Sequence, residues 1–229
     1  MARGEAVAVG HRGDPYKYRE NTLPSLLSAL RAGAGAVETD ARLTRDGVPV
    51  LLHDRTLKRL WDHDRPLAAV TADELRGLTD GGVPTLSEAL AEAAAFPAAR
   101  LLIDFPDPAA VPAVVAEVRA RGAADRVYYC GGGTAMLAVR AADPDAEIAL
   151  SWDRAAPPRP ALLARVRPQW LNYRFGLITE DLVRRTHDEG MLMAAWTPDT
   201  RRTMTRLLRM GVDSITTNRI DTLRRLHAG

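Results

Sequence analysis

Short runs of apolar residues recur along the whole chain, and stretches with helical spacing separate them. Runs of this length predict buried strands, whereas apolar positions three and four residues apart predict amphipathic helices. Thr22 and Thr179 are suitable N-caps for two of the helices, and a third helix follows residues 197–199. The predicted strands are residues 7–10, 36–40, 101–105, 127–130, 147–151, 169–173, 191–196 and 212–217.

Strands that alternate with helices indicate parallel strands joined by helical crossovers. Eight such strands in 229 residues predict a compact (β/α)8 TIM barrel of the α/β class. We expect one domain that spans residues 1–229, because no long linker or low-complexity tract divides the chain. A doubly wound open sheet is the structural alternative.

One apolar run does not fit this alternation. Residues 48–53 follow residues 41–44 after only Arg45, Asp46 and Gly47. A parallel crossover needs a dozen or more residues, whereas Asp-Gly is a common hairpin turn. We therefore predict that residues 48–53 fold back against the second strand as a short antiparallel β-hairpin arm.

Composition excludes several classes of protein. The hydrophobic content of 46% and the charged content of 26% are typical of a globular domain, and the single Cys130 excludes an internal disulfide. No apolar run approaches the roughly 20 residues of a membrane span. We expect a cytoplasmic protein without a signal peptide, and by default a monomer. The net charge of +2, without a basic stripe, argues against nucleic-acid binding.

Chargeable side chains lie at or near the carboxyl ends of the first three predicted strands, where TIM barrels carry their chemistry. These side chains are His11 and Arg12, then Glu38 and Asp40, then Asp104. Residues two apart on a strand share a face, so two carboxylates would repel each other unless they are protonated or bridged by a cation.

A divalent metal ion would remove this repulsion. Carboxylate oxygens suit hard ions such as Mg²⁺, Ca²⁺ or Mn²⁺, and Asp104 offers a third ligand beside Glu38 and Asp40. The alternative is that these are exposed acids that pair with Arg12 or Arg42. The pattern alone leaves both open.

His53 ends the predicted arm, which would bring it towards His11 across the barrel mouth. Two imidazoles on either side of a substrate can act as acid and base, since their intrinsic pKa lies near neutrality. The alternative for a single histidine is a structural or surface position.

Several segments resemble the glycerophosphodiester phosphodiesterase family in type and spacing. These are HRG at 11–13, ENT at 20–22, GAGAVETDARLTRDGVPVLLHD at 33–54, AWTPD at 195–199 and GVDSITTNRID at 211–221. The resemblance implies a phosphodiesterase barrel with a divalent cation and a small phosphodiester substrate. By position it implies an acid–base pair of His11 and His53, and metal ligands Glu38 and Asp40. It also implies phosphate binding by Arg12 and an alcohol pocket at Trp196.

The chain departs from the family pattern at three places. Where the family shows Ile-Glu-x-Lys, this chain has Ile103-Asp104-Phe105-Pro106, with a shorter acid and no lysine. The family's Trp-Thr-x-Asn and terminal Thr-Asp are here residues 196–199, WTPD, and residues 217–218, TN.

The sequence thus favours metal-dependent hydrolysis of glycerophosphodiesters or a related small phosphodiester. Two alternatives stay open. The missing lysine and shortened acid allow a catalytically weakened barrel that binds a phosphate-bearing ligand, and the same barrel type also allows a phospholipase.

Overall fold

The computed structural model describes residues 5–227, and within them eight parallel strands close into a barrel. β1 (Val7–His11) pairs with β2 (Ala36–Leu43) on one side and with β9 (Ser214–Thr217) on the other, which closes the barrel and rules out an open sheet. All eight predicted barrel strands are confirmed. The strands are β1 (Val7–His11), β2 (Ala36–Leu43), β3 (Pro49–Leu51), β4 (Arg100–Asp104), β5 (Val127–Gly131), β6 (Ile148–Trp152), β7 (Trp170–Arg174), β8 (Leu192–Trp196) and β9 (Ser214–Thr217).

Helices connect the barrel strands on the outside. Thr22 caps α1 and Thr179 caps α8, as predicted, and Thr200 rather than an earlier residue caps α9. Within residues 5–227 no helix has both the length and the apolar character needed to cross a bilayer. The helices are α1 (Leu23–Arg31), α2 (Lys58–Trp61), α3 (Ala72–Leu78), α4 (Leu86–Ala93), α5 (Val111–Ala120), α6 (Gly133–Ala142), α7 (Pro160–Val166), α8 (Glu180–Asp188), α9 (Arg201–Arg209) and α10 (Ile220–His227).

The hydrophobic core has two layers, which follow from the alternation of side chains along each strand. The larger layer lies between the strands and the surrounding helices. The smaller layer fills the lower part of the barrel interior with Val9, Ala36, Leu102, Tyr128, Cys130 and Ala149. Because apolar side chains fill the lower interior, polar side chains at the carboxyl ends of the strands stand above a packed floor.

The short strand β3 confirms the predicted hairpin arm. It pairs antiparallel with β2, so that Ala41 lies opposite Leu51. The hairpin is the start of a longer segment, residues 49–83, and from here on "arm" means this whole segment. It contains β3, α2 and α3 and buries a small core of its own around Leu52, Leu57 and Leu75. The backbone N–H of Leu52 donates to the carbonyl of Asp40 at 2.9 Å. This bond brings His53 back to the carboxyl end of β2.

The loop between β1 and α1 is held close to α1 by Gly13. This glycine has φ +90°, and a Cβ atom there would lie 2.4 Å from the backbone carbon of Ser25. The next residue, Asp14, donates its N–H to both the carbonyl and the hydroxyl of Ser25, at 3.1 and 2.8 Å. A side chain at position 13 would therefore push the loop, and Arg12 with it, off the helix.

We predict that Gly13→Ala destabilises the protein more than Gly47→Ala does. Both glycines have positive φ, which costs an L-residue roughly 1–2 kcal/mol, but a Cβ at Gly47 meets nothing within 4 Å. The clash at Gly13 should add about 1–3 kcal/mol, as overpacking typically does. Urea unfolding measures the free energy of unfolding of both variants. An equal decrease in the two variants would contradict the packing argument.

Candidate active site

A cavity of about 300 Å³ opens at the carboxyl ends of the barrel strands. All seven site residues predicted from the sequence line it: His11, Arg12, Glu38, Asp40, His53, Asp104 and Trp196. Phe105, Cys130, Gly131, Gly132, Ser151, Asn172, Thr197 and Thr216 are among the other lining residues. The remaining histidines, at 63, 187 and 227, do not line it. The fold therefore brings the predicted site residues of β1, β2, β4 and β8 and of the arm into one space.

The three acids form one cluster, with Glu38 and Asp40 buried and Asp104 partly buried, rather than separate exposed acids. Glu38 and Asp40 are only 5% and 1% exposed, and one oxygen from each of these acids and from Asp104 lies within 4.8 Å of the others. Burial, followed by the charges of Asp40 and Asp104, raises the pKa of Glu38 well above its usual value. Burial and then the charge of Asp40 raise the pKa of Asp104 to about 7. Desolvation and mutual repulsion thus oppose full ionisation of the cluster.

The donor set fits a hard divalent ion. Oxygen ligands bind Mg²⁺ or Ca²⁺ at roughly 2.0–2.6 Å, so two ligands of one ion lie no more than about 5 Å apart. The separations among Glu38, Asp40 and Asp104 fall within that limit. The aspartate at 104 is therefore long enough to reach the same ion as the other two acids, although the family has a longer glutamate there.

Arg12 is the only lysine or arginine that lines the described cavity. Its backbone N–H donates to Glu38 Oε2 at 2.9 Å, and its Nη1 donates to Glu20 Oε1 at 2.8 Å. Its Nε lies 3.1 Å from Asp40 Oδ2 but has no aligned hydrogen-bond acceptor, so this contact is an ion pair without a good hydrogen bond. The Asp40–Arg12 pairing considered from the sequence is therefore present, inside the cavity rather than at the surface.

Asn21, from the ENT segment, holds Asp40 in place. Its Nδ2 donates to Asp40 Oδ2 at 2.7 Å, while its Oδ1 accepts from the Thr39 hydroxyl and from the Asp40 N–H. Asn21 has φ 56°, a left-handed conformation that asparagine tolerates better than most residues. Its short amide thereby reaches both the backbone and the side chain at the end of β2.

His11 ends β1, and its two ring nitrogens face different residues, Asn218 and Glu38. Its Nδ1 lies 2.8 Å from Asn218 Oδ1, and its Nε2 lies 3.8 Å from Glu38 Oε2. Burial, and next the positive charge of Arg12, lower the pKa of His11. The nitrogen on the cavity side is thus Nε2.

His53 is oriented from two directions. Its carbonyl accepts from Arg42 Nε at 2.7 Å, and its Nδ1 lies 2.8 Å from Asp54 Oδ1. Asp54 in turn accepts from Arg59 Nε at 2.6 Å, a bond that contributes most to lowering the pKa of Asp54 to about 2. Because Asp54 is ionised, the hydrogen on His53 is held at Nδ1 and Nε2 is left free for the cavity.

Arg59 also connects the arm to the loop after β1. Its two terminal nitrogens donate to the carboxylate of Glu20 at 3.1 and 2.7 Å, and Glu20 binds Arg12. A continuous chain of charge-assisted contacts thus links Arg12, Glu20, Arg59, Asp54 and His53. Sequence reasoning missed Arg59, because an arginine on a short helix carries no motif of its own.

The wall formed by β6, β7 and β8 carries hydrogen-bonding groups but no charge. Asn172 is 5% exposed, donates from Nδ2 to the Ser151 hydroxyl at 3.1 Å, and has an Oδ1 with no partner in residues 5–227. Trp196 Nε1 donates to the carbonyl of Asn172 at 3.1 Å, which fixes the indole against this wall. Asn172 lies within the predicted strand 169–173, but the sequence analysis gave it no role.

With this geometry in place, the comparisons with known proteins decide the family. The profile of the "Glycerophosphoryl diester phosphodiesterase family" matches residues 11–222. The chain belongs to this family. The resemblance found in the sequence is confirmed, and it covers nearly the whole barrel. "Probable glycerophosphodiester phosphodiesterase 2" of Mycobacterium tuberculosis is 30% identical over 252 residues, which cover 98% of this chain and 91% of that protein.

Other relatives match more locally or by fold. Human "Glycerophosphodiester phosphodiesterase 1" is 37% identical over 102 residues, which cover 39% of this chain and 31% of that protein. The chain thus matches about a third of the length of that relative. The Thermotoga maritima glycerophosphodiester phosphodiesterase has 24% identity and a TM-score of 0.86, with 98% of this chain and 99% of that chain covered.

An Oleispira antarctica phosphodiesterase, solved in complex with the product sn-glycerol-3-phosphate, also shares the fold. It has 21% identity and a TM-score of 0.82, with 97% of each chain covered. Similarity at this identity establishes the TIM-barrel fold of this chain and leaves its substrate to be argued from the cavity.

We predict that Asp104→Asn flattens the pH dependence of stability in the metal-free protein. The pKa of Asp104 is about 7 in the folded protein and about 4 when unfolded, so the folded state binds the proton more tightly. The free energy of unfolding should therefore fall as pH rises from about 4 through about 7. Urea unfolding in a chelator between about pH 5 and pH 8 measures this slope.

The control for this experiment is Asp64→Asn, which changes an exposed aspartate of the arm. It should keep the slope of the unmodified protein. Parallel pH profiles for Asp104→Asn and the unmodified protein would contradict the raised pKa.

Proposed function

We propose that the protein hydrolyses glycerophosphodiesters, or a related small phosphodiester, to an alcohol and glycerol phosphate with the help of a divalent cation. The observation that carries this proposal is the shared cavity. Two imidazoles, one guanidinium and three carboxylates of a family member line a single space above a packed floor. A barrel that only needed to fold would not bury three acids at the same end.

Glu38, Asp40 and Asp104 would hold the metal ion. Three carboxylates carry more negative charge than Arg12 alone can balance, which favours uptake of a cation. Such an ion supplies stabilisation for negative charge that develops on phosphate oxygens. Mg²⁺, Ca²⁺ and Mn²⁺ all accept this ligand set.

Arg12 would bind the phosphate group. It is held between Glu20 and Asp40, so its guanidinium is already in place before a substrate arrives. Preorganised positive charge of this kind is worth more in a site shielded from water than at a surface. Because Pro106 stands where the family has lysine, Arg12 carries this role without a second cationic side chain.

His11 and His53 would act as the acid–base pair. Both line the cavity, and each has its Nδ1 engaged by a protein oxygen, which leaves Nε2 available to the substrate. One imidazole would remove the proton from the attacking oxygen, which is either a hydroxyl of the glycerol or water. The other would protonate the alkoxide that leaves when the P–O bond breaks.

The uncharged wall would receive a hydroxyl-bearing part of the substrate. The unpartnered Oδ1 of Asn172 needs a donor, and a glycerol hydroxyl is one. The indole of Trp196 offers an apolar face beside it for the carbon atoms. The product sn-glycerol-3-phosphate bound by the Oleispira relative has both kinds of group and supports this assignment.

The first test is an activity assay with glycerophosphocholine and with an aryl phosphodiester. We expect alcohol release that needs added Mg²⁺, Ca²⁺ or Mn²⁺ and stops with a chelator, because the acid cluster requires a cation. Binding without release would instead support the weakened barrel. Activity only on micelles or bilayers would support a phospholipase, for which the structure offers the exposed Tyr16 and Tyr18.

The second test is the pair of variants His11→Ala and His53→Ala. Each should lower kcat by about 10²- to 10⁴-fold, the usual contribution of a general acid or base. His63→Ala, in the arm and outside the cavity, is the control and should keep full activity. Circular dichroism checks the fold. A folded His11→Ala or His53→Ala enzyme with near-normal turnover would end the acid–base assignment.

A further inference from the structure

Three hydrogen bonds to the Asp199 carboxylate lie just behind His11. The carboxylate accepts from the Thr217 hydroxyl at 3.0 Å, from the Asn218 N–H at 2.9 Å and from Asn218 Nδ2 at 2.7 Å. Asn218 Oδ1 then lies 2.8 Å from His11 Nδ1. Hydrogen bonds therefore connect Asp199 to Asn218 and Asn218 to His11, and we call these contacts the relay. His11 lines the cavity, whereas Asp199 and Asn218 are not among its lining residues.

The chemistry of this relay determines where each hydrogen lies. A carboxylate accepts hydrogen bonds and has none to give, so the Asn218 amide must turn its NH₂ towards Asp199. Its carbonyl oxygen is then the atom that faces His11. A carbonyl oxygen can only accept, so Nδ1 of His11 must carry the hydrogen. The neutral imidazole consequently has its lone pair on Nε2, the nitrogen next to Glu38 and the cavity.

We propose that Asp199 is a positioning residue that, through the Asn218 amide, fixes the tautomer and direction of His11. This inference rests on the proposed function, in which Nε2 of His11 exchanges a proton with the substrate. Asp199 itself does not line the cavity, so it acts on the reaction only through the relay.

Asp199 and Asn218 are chemically complementary, since one accepts the hydrogen bond that the other donates. Positions 199 and 218 are two of the three places where the chain departs from the family pattern, with Asp for Asn at 199 and Asn for Asp at 218. The structure shows that the two departures are the two ends of one hydrogen bond. A single change would leave two amides or two carboxylates face to face, whereas the reciprocal change keeps one donor against one acceptor.

The decisive experiment compares Asp199→Asn with the double variant Asp199→Asn/Asn218→Asp. In the single variant the new amide can donate to position 218, which lets the Asn218 amide reverse and present its NH₂ to His11. The hydrogen of the neutral imidazole would then move to Nε2. In the double variant the new carboxylate at 218 accepts from His11 Nδ1 again, and the amide at 199 donates to that carboxylate.

We expect Asp199→Asn to lower kcat by about 10²- to 10⁴-fold with little change in KM, since the substrate still binds but the base is in the wrong tautomer. The double variant should recover to within about tenfold of the unmodified enzyme. The direct readout is ¹⁵N NMR of the metal-free protein at about pH 8, which distinguishes hydrogen on Nδ1 from hydrogen on Nε2. The His11 signals are assigned by their absence in His11→Gln.

Thr217→Val is the matched control. It removes one hydrogen bond to the same carboxylate but leaves the Asn218 amide with its acceptor, so kcat should fall by less than about threefold. The inference is overturned if Asp199→Asn keeps the Nδ1–H tautomer, or if the double variant fails to recover activity. An active His11→Ala enzyme would overturn the proposed function instead, so the two failures can be told apart.

Discussion

The repulsion among three clustered carboxylates, two of them buried and one partly buried, is the constraint on which the rest of the site depends. Burial penalises the charge of Glu38 and of Asp104, and the nearby charge of Asp40 adds to the penalty on both. The fold offsets this penalty with short-range contacts, of which the Arg12 side chain and the Asn21 amide are the main ones. The Gly13 turn packs the loop that carries them against α1. These contacts reduce the repulsion without removing it, and this remaining repulsion is the physical basis of the proposed cation site.

The arm shows how the chain adds a histidine to the cavity that the barrel strands alone do not provide. A hairpin doubles back on β2 and places His53 beside the acids, and the arm's own small core keeps it there. The ionic chain from Arg12 through Glu20 and Arg59 to Asp54 then ties both sides of the cavity together. A displacement of the arm would therefore disturb the orientation of Arg12 as well as that of His53.

Much of this structure could be predicted from the sequence, because the relevant signals are local. Apolar runs located all eight barrel strands, and the Asp46-Gly47 turn located the hairpin. Barrel closure and the rule that strand ends carry the chemistry then brought the predicted site residues into one cavity. The sequence could not show that the acids are buried, because burial depends on how the loop after β1 and the arm cover them.

What could not be predicted are contacts between distant residues that belong to no local pattern. Arg59, Asn172 and Asp199 are far apart in the chain, and each acquires its partners only when the barrel closes. The two departures at 199 and 218 looked like separate weaknesses in the sequence, since nothing local shows that the residues touch. In the fold they form one donor–acceptor pair behind His11. Departures from a family pattern are thus best judged in pairs, after asking whether the side chains meet.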